Sequence, residues 1–166
     1  DSGCVLMQGA VSAPMLLEAL VRVSTVCLHV AFDRVPRGSQ ATEASDAAVD
    51  QALALWRSLL CALPESDAAH VHSYVREHVV LPYQAGRLHA AALTAELDAD
   101  DLWGEEDAQD ADLYDDQLTL YATLARICVR EALAHLSSIV QQPAMRDIVQ
   151  MRPATWEQWH WLALML

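Results

Sequence analysis

Few side chains in this sequence are spaced for chemistry. His70, His72, Glu77 and His78 form the densest group of metal-capable donors. On a helix His70 and His78 stand about two turns apart, too far to share one ion, so these histidines are expected to have no ligand role and no resident metal is predicted. There is no Gly-rich phosphate loop, Gly-x-Ser-x-Gly elbow or His-Glu-x-x-His motif, so the common signatures of phosphate, acyl and zinc chemistry are missing. The chain reads as a non-enzyme with no cofactor. Trp156, Trp159 and Trp161 invite comparison with a cation cage, because indole faces attract positive charge. At helical spacing Trp156 and Trp159 share a face with Leu162 while Trp161 points elsewhere, so packing between helices is expected instead.

The concentrated feature is acidic. Glu96, Asp98, Asp100, Asp101, Glu105, Glu106, Asp107, Asp110, Asp112, Asp115 and Asp116 follow one another with no basic residue among them. The formal charge of the chain is −13. Outside this run, acidic and basic residues nearly balance. A polyanionic stretch of this kind suits contact with a basic partner, with Glu105, Glu106, Asp107, Asp110 and Asp112 as the expected contacts. Leu102, Trp103, Leu113 and Tyr114 are the candidate apolar anchors among the charges. Every basic residue other than histidine is an arginine, and the arginines are scattered. No basic stripe exists to follow a phosphate backbone, so direct nucleic-acid binding is not expected.

Composition points to helices as the elements that carry these residues. The chain has 166 residues, 54% of them hydrophobic, with only 5 Gly, 6 Pro and 6% aromatics. That disfavours an all-β sandwich, a collagen-like chain and a disulfide knot, and leaves an all-α protein. Cys4, Cys27, Cys61 and Cys128 are far apart. The last three lie in apolar helical patterns, where a free thiol packs as a small hydrophobe, and the chain reads as intracellular. No targeting peptide is visible and the sequence stops at Leu166 within an apolar run, so an internal piece of a longer protein is expected.

From Ala13 to Phe32 the polar residues Glu18, Arg22, Thr25 and His29 trace one narrow stripe, continued at Asp33. The spacing predicts a helix covered on two or more sides, while its charges exclude a membrane span. A loop from Pro36 to about Ala44 is expected next, and then a helix from Ser45 to Pro64 with Val49, Leu53, Trp56, Leu60 and Leu63 on one face. Ser66 and Asp67 restart a helix that Pro82 should interrupt before it resumes to about Leu97. Gln117 to Gln141 reads as one long helix with Leu118, Tyr121, Ala125, Cys128, Ala132, Leu136 and Ile139 inward. Thr155 and Gln158 form a capping box for a final helix. Trp56, Leu124, Ile127, Leu136 and Trp159 are the expected core. The predicted architecture is an α-solenoid of antiparallel HEAT-type helix pairs over 1–95, an acidic inter-helix loop over 96–116, and HEAT-type helices over 117–166.

The order of these features resembles a known family. It runs through Leu53-Ala54-Leu55-Trp56, Tyr74 before Leu81-Pro82-Tyr83, the acidic stretch into Asp116-Gln117-Leu118 and Leu124-Ala125-Arg126-Ile127, and then Trp156-Glu157-Gln158-Trp159-His160-Trp161-Leu162. That collinear series, over about residues 50 to 166, is similar to the central part of the exportin-4 family within the importin-β (karyopherin) superfamily. The resemblance implies a nuclear transport receptor that shuttles between nucleus and cytoplasm and binds Ran-GTP and protein cargo. It also implies that the chain does no chemistry and inserts in no membrane. A HEAT or armadillo scaffold in another complex is the alternative with the same periodicity.

Overall fold

The computed structural model describes residues 14–33, 39–98, 114–146 and 152–166. Within them the regular structure is entirely helical, as the 3.6-residue periodicity predicts. Helix α1 spans Pro14–Asp33, α2 Ser39–Ala62 and α3 Glu65–Val75, followed by a π turn over Arg76–Val80 that leads into α4, Leu81–Asp98. Helix α5 spans Asp115–Ala125 and is joined by a 3₁₀ turn, Arg126–Cys128, to α6, Val129–Val140. A short α7, Pro143–Arg146, and α8, Pro153–Met165, complete the described chain. None of these helices is long and apolar enough to cross a membrane.

The long helices pack pairwise, α1 on α2 and α5 on α8 among the pairs. Helix α4 lies between α1 and α8, while α2 packs on both α1 and α5. The core between them is built from positions the sequence period assigns to it. Val49, Leu53, Trp56 and Leu59 of α2 are buried, with Leu63 just past its end, as are Tyr121, Leu124, Cys128, Ala132 and Leu136 of the α5–α6 segment. Leu60, Leu118, Ala125, Ile127, Ile139 and Trp159 are partly buried against them. Thr119, Thr123, Arg126, Arg130 and Ser137 face solvent, opposite that stripe.

Several boundaries differ from the expected ones, each for a local reason. Helix α2 starts at Ser39 rather than Ser45, because Gln40, Ala41, Glu43 and Ala44 are good helix formers and shorten the connection. Helix α3 starts at Glu65, one residue earlier than Ser66, with Pro64 as an extended N-cap (φ −58°, ψ 150°) whose carbonyl accepts from the Ala68 N–H at 2.9 Å. Pro82 does not interrupt its helix. The preceding turn widens so that the Leu81 N–H bonds to the Arg76 carbonyl, which eases the clash a proline ring makes with the previous turn and leaves fewer ladder bonds to lose. The stripe of Val71, Val75 and Val79 continues through this turn to Tyr83, Arg87 and Ala91, and Val80, Gln84 and Leu88 are buried beside it.

The long helix expected over Gln117–Gln141 is broken at Cys128 (φ −133°, ψ 39°). Ile127, Cys128 and Val129 are weak helix formers in succession, and the break falls among them. The capping box at Thr155 and Gln158 is not formed. Pro153 occupies the first turn of α8, and the Arg152 carbonyl accepts the N–H groups of Thr155 at 2.9 Å and Trp156 at 3.2 Å. A proline preset to helical φ starts the helix three residues early, leaving the Gln158 amide free to donate to the Leu88 carbonyl at 3.2 Å.

Helix α1 departs from expectation in its covering. Leu17, Ser24, Leu28, Ala31 and Phe32 are buried, but Met15, Val23, Val26 and Val30 are exposed along the other apolar flank, Met15 at 82%. One side is covered among the described residues, not two. Trp156 and Leu164 of α8, and Leu166 just past it, are likewise exposed.

Candidate functional site

The most polar buried point of the fold is Arg87, on α4. It continues the buried stripe of Val71, Val75, Val79 and Tyr83 at steps of four, and only 6% of it is exposed. A guanidinium so placed needs partners, because burying an unpaired charge is costly. Its carbon lies 4.4 Å from the Tyr114 ring centroid, 4.6 Å from Trp161, 5.0 Å from Phe32 and 5.9 Å from Tyr83. Its Nη2 donates to Gln117 Oε1 and lies 3.6 Å from Asp46 Oδ1. Tyr83 Oη donates to the same Gln117 oxygen at 3.0 Å, and Gln117 Nε2 donates to Asp50 Oδ1 at 2.8 Å. Tyr114 Oη reaches Asp46 Oδ2 at 3.4 Å. Arg87 Nε and Ser45 Oγ are buried without a hydrogen-bond partner among the described residues.

A second polar group continues this centre on the next turn. Gln84, wholly buried, donates to Tyr121 Oη at 2.6 Å and to the Ala132 carbonyl at 3.3 Å, and its oxygen lies 2.7 Å from His135 Nδ1. The tautomer with hydrogen on Nδ1 satisfies that oxygen. Tyr83 and Tyr121 stack at 4.9 Å, and Phe32 meets Tyr83 edge-on at 5.7 Å.

Burial sets the protonation of these groups. It raises the Asp46 carboxyl above 3.8 despite the attraction of Arg87, pushes the Tyr83 hydroxyl to about 12 and raises Tyr121. It lowers His135 below 6.5 and raises the Cys128 thiol, which Glu131 raises further. The phenols therefore stay protonated and the imidazole neutral near pH 7. These groups bond chiefly to one another, an arrangement suited to holding helices together.

The residues singled out by spacing are placed differently. Glu105, Glu106, Asp107, Asp110 and Asp112 lie outside the described residues, as do Leu102, Trp103, Leu113 and Cys4. Tyr114, expected as an anchor for a partner, is engaged within the protein: its ring meets Trp161 at 5.1 Å as well as Arg87. Trp161 is the buried tryptophan of α8 at 8% exposure, whereas Trp156 is 63% exposed and Trp159 half-buried, reversing the expected faces. The start at Pro153 and the pull of the Arg87 cation account for this. An aromatic cage does exist, and its cation is internal.

His70, Tyr74 and His78 line up along one helix flank, with ring separations of 5.9 and 6.1 Å. No group of three or more metal-capable side chains converges among the described residues. Cys128 is buried and Cys27 half-buried, but Cys61 is exposed, contrary to its apolar setting in the sequence. A groove of about 370 Å³ separates α1 from α4, with His29 and His89 on its two walls and Phe32 and Gly86 in its lining. No family description, curated protein or solved structure matches this chain.

Proposed function

We propose that this chain is a non-catalytic segment of a HEAT-type helical stack that binds proteins, and that the full-length protein is a nuclear transport receptor binding Ran-GTP and cargo. The observation that carries the stack is the pairing order of the helices. Helix α4 packs between α1 and α8, α2 packs on α1 and α5, and α5 touches α8, contacts that two rows of stacked helices would make. Repeat stacks are built this way, each unit burying its face on the next. The exposed apolar residues of α1 and α8 fit the same reading, because both helices would end a row and keep one flank uncovered.

The transport role rests on the collinear resemblance around Trp56, Asp116-Gln117-Leu118 and His160-Trp161-Leu162. In such receptors Ran-GTP and export cargo raise each other's affinity, so movement follows from coupled binding without chemistry by the receptor. The protein then shuttles between nucleus and cytoplasm. Retention of the full-length protein on immobilised Ran loaded with a non-hydrolysable GTP analogue, and its loss with GDP, is the expected result. Equal or no retention on the two forms would leave the alternative, a HEAT or armadillo scaffold of another complex.

The acidic residues Glu105, Glu106, Asp107, Asp110 and Asp112 are proposed to contact the basic surface of Ran or cargo. Exposed charges act within a screening length of about 8 Å at physiological salt, so their effect belongs mainly to association rate. Changing all five to Ser or Gln in the full-length receptor should slow association and flatten its salt dependence. A rate and salt slope equal to the parent's would return the stretch to a solvating linker.

A further inference from the structure

Each long helix that meets at Arg87 offers it a different partner. Phe32 comes from α1, Asp46 from α2, Tyr83 from its own α4, Tyr114 and Gln117 from the start of α5, and Trp161 from α8. We infer that this junction is a register lock, which selects one seating of α1, α2, α5 and α8 on α4 and adds little to stability. Apolar packing is non-directional, so the surrounding Val, Leu and Ala contacts constrain the seating of these helices less than oriented polar contacts do. A planar guanidinium with donors in a fixed fork does not. One rotation or slide of any of these helices would remove a ring, a carboxylate or an amide oxygen from it.

The same centre is a poor source of stability. Arg87 Nε has no hydrogen-bond partner, and the closest Asp46 oxygen stands off at 3.6 Å. At Asp46 the cost of burial outweighs the attraction of Arg87. Buried ionic groups with incomplete pairing are often replaced by apolar residues with no loss of stability. What such a replacement removes is the directional constraint.

The test uses the full-length protein carrying Arg87→Met together with Asp46→Leu, which removes both charges and leaves no buried ion unpaired. The melting midpoint should equal or exceed the parent's, while amide exchange in α4 and α8 under native conditions becomes at least about tenfold faster. A lowered midpoint or failure to fold would overturn the proposal by making the junction a source of stability. Exchange unchanged at a parent-like midpoint would overturn it as well, because register would then be held by apolar packing alone. Arg87→Lys gives an independent reading, since it keeps the charge and loses the fork. Helix content should be unchanged with exchange in α8 about tenfold faster, and parent-like exchange there would count against the lock.

Discussion

At the scale of single residues, burial decides which side chains matter. Trp56 is wholly buried and its indole N–H donates to Ser24 Oγ at 2.7 Å, while that hydroxyl donates to the Leu20 carbonyl at 2.9 Å. Trp56→Ala should therefore cost about 3 to 5 kcal/mol, from lost burial and a residual cavity. Thermal or urea unfolding measures it, and a parent-like midpoint would show that the α2 face is not core. Trp56 was legible from its period. Its partner Ser24, on a different helix, was not, because a period carries no information about contacts between elements. Arg87 was hidden for the same reason: steps of four from Val71 reach it, but its partners Asp46, Gln117 and Trp161 lie on other helices. Asp46 gives a pH prediction from the same centre. Its native pKa is raised above 3.8, mainly by burial, so the native state takes up a proton more readily than the unfolded chain. The resulting stabilisation is fully present below pH 3.8 and is lost as pH rises through the raised native value. Asp46→Asn should flatten that part of the curve of melting temperature against pH, and a slope equal to the parent's would show that Asp46 contributes nothing to it.

At the scale of elements, the helices were readable because each buries a stripe at steps of three and four, whatever its exact ends. The ends follow from individual residues such as Pro64, Pro153 and the trio Ile127-Cys128-Val129, whose effects depend on which neighbours compete. The close approach of α1 and α4 is an example. A Cβ added at Gly86 would collide with the Phe32 ring, which is itself 2% exposed and stacked edge-on against Tyr83. In a free helix Gly→Ala would be favourable by roughly 0.5 to 1 kcal/mol. Here the ring is held against Tyr83 and Arg87, and displacing it breaks those contacts, so the clash decides the sign. Gly86→Ala should destabilise by about 1 to 3 kcal/mol, and Phe32→Leu in the same chain should recover part of the loss, because it removes the atoms the methyl meets. Equilibrium unfolding of the single and double variants checks this. Additive losses would place the strain elsewhere than between these two helices.

At the scale of the whole molecule, surface character separates into a nearly neutral body, an acidic stretch and uncovered apolar flanks. The −13 charge favours solubility by self-repulsion. The flank of α1 works against it: Met15, Val23, Val26 and Val30 are exposed on one face of a helix whose other face is core. Contiguous apolar surface of this kind drives association when nothing covers it. In the stacked reading the same flank is covered by a neighbouring helix in the full-length protein. The two settings therefore respond oppositely to one change. Val23→Glu with Val30→Glu should make the 166-residue chain less self-associating, read as a smaller scattering mass at a given concentration, with helix content unchanged. In the full-length protein the same pair should lower the melting midpoint, because each carboxylate would be buried without a partner at a cost of several kcal/mol. A gain in solubility with no loss in the full-length protein would mean that α1 presents this flank to solvent or to a separate partner. The helix contacts would then stand without the continuous stack.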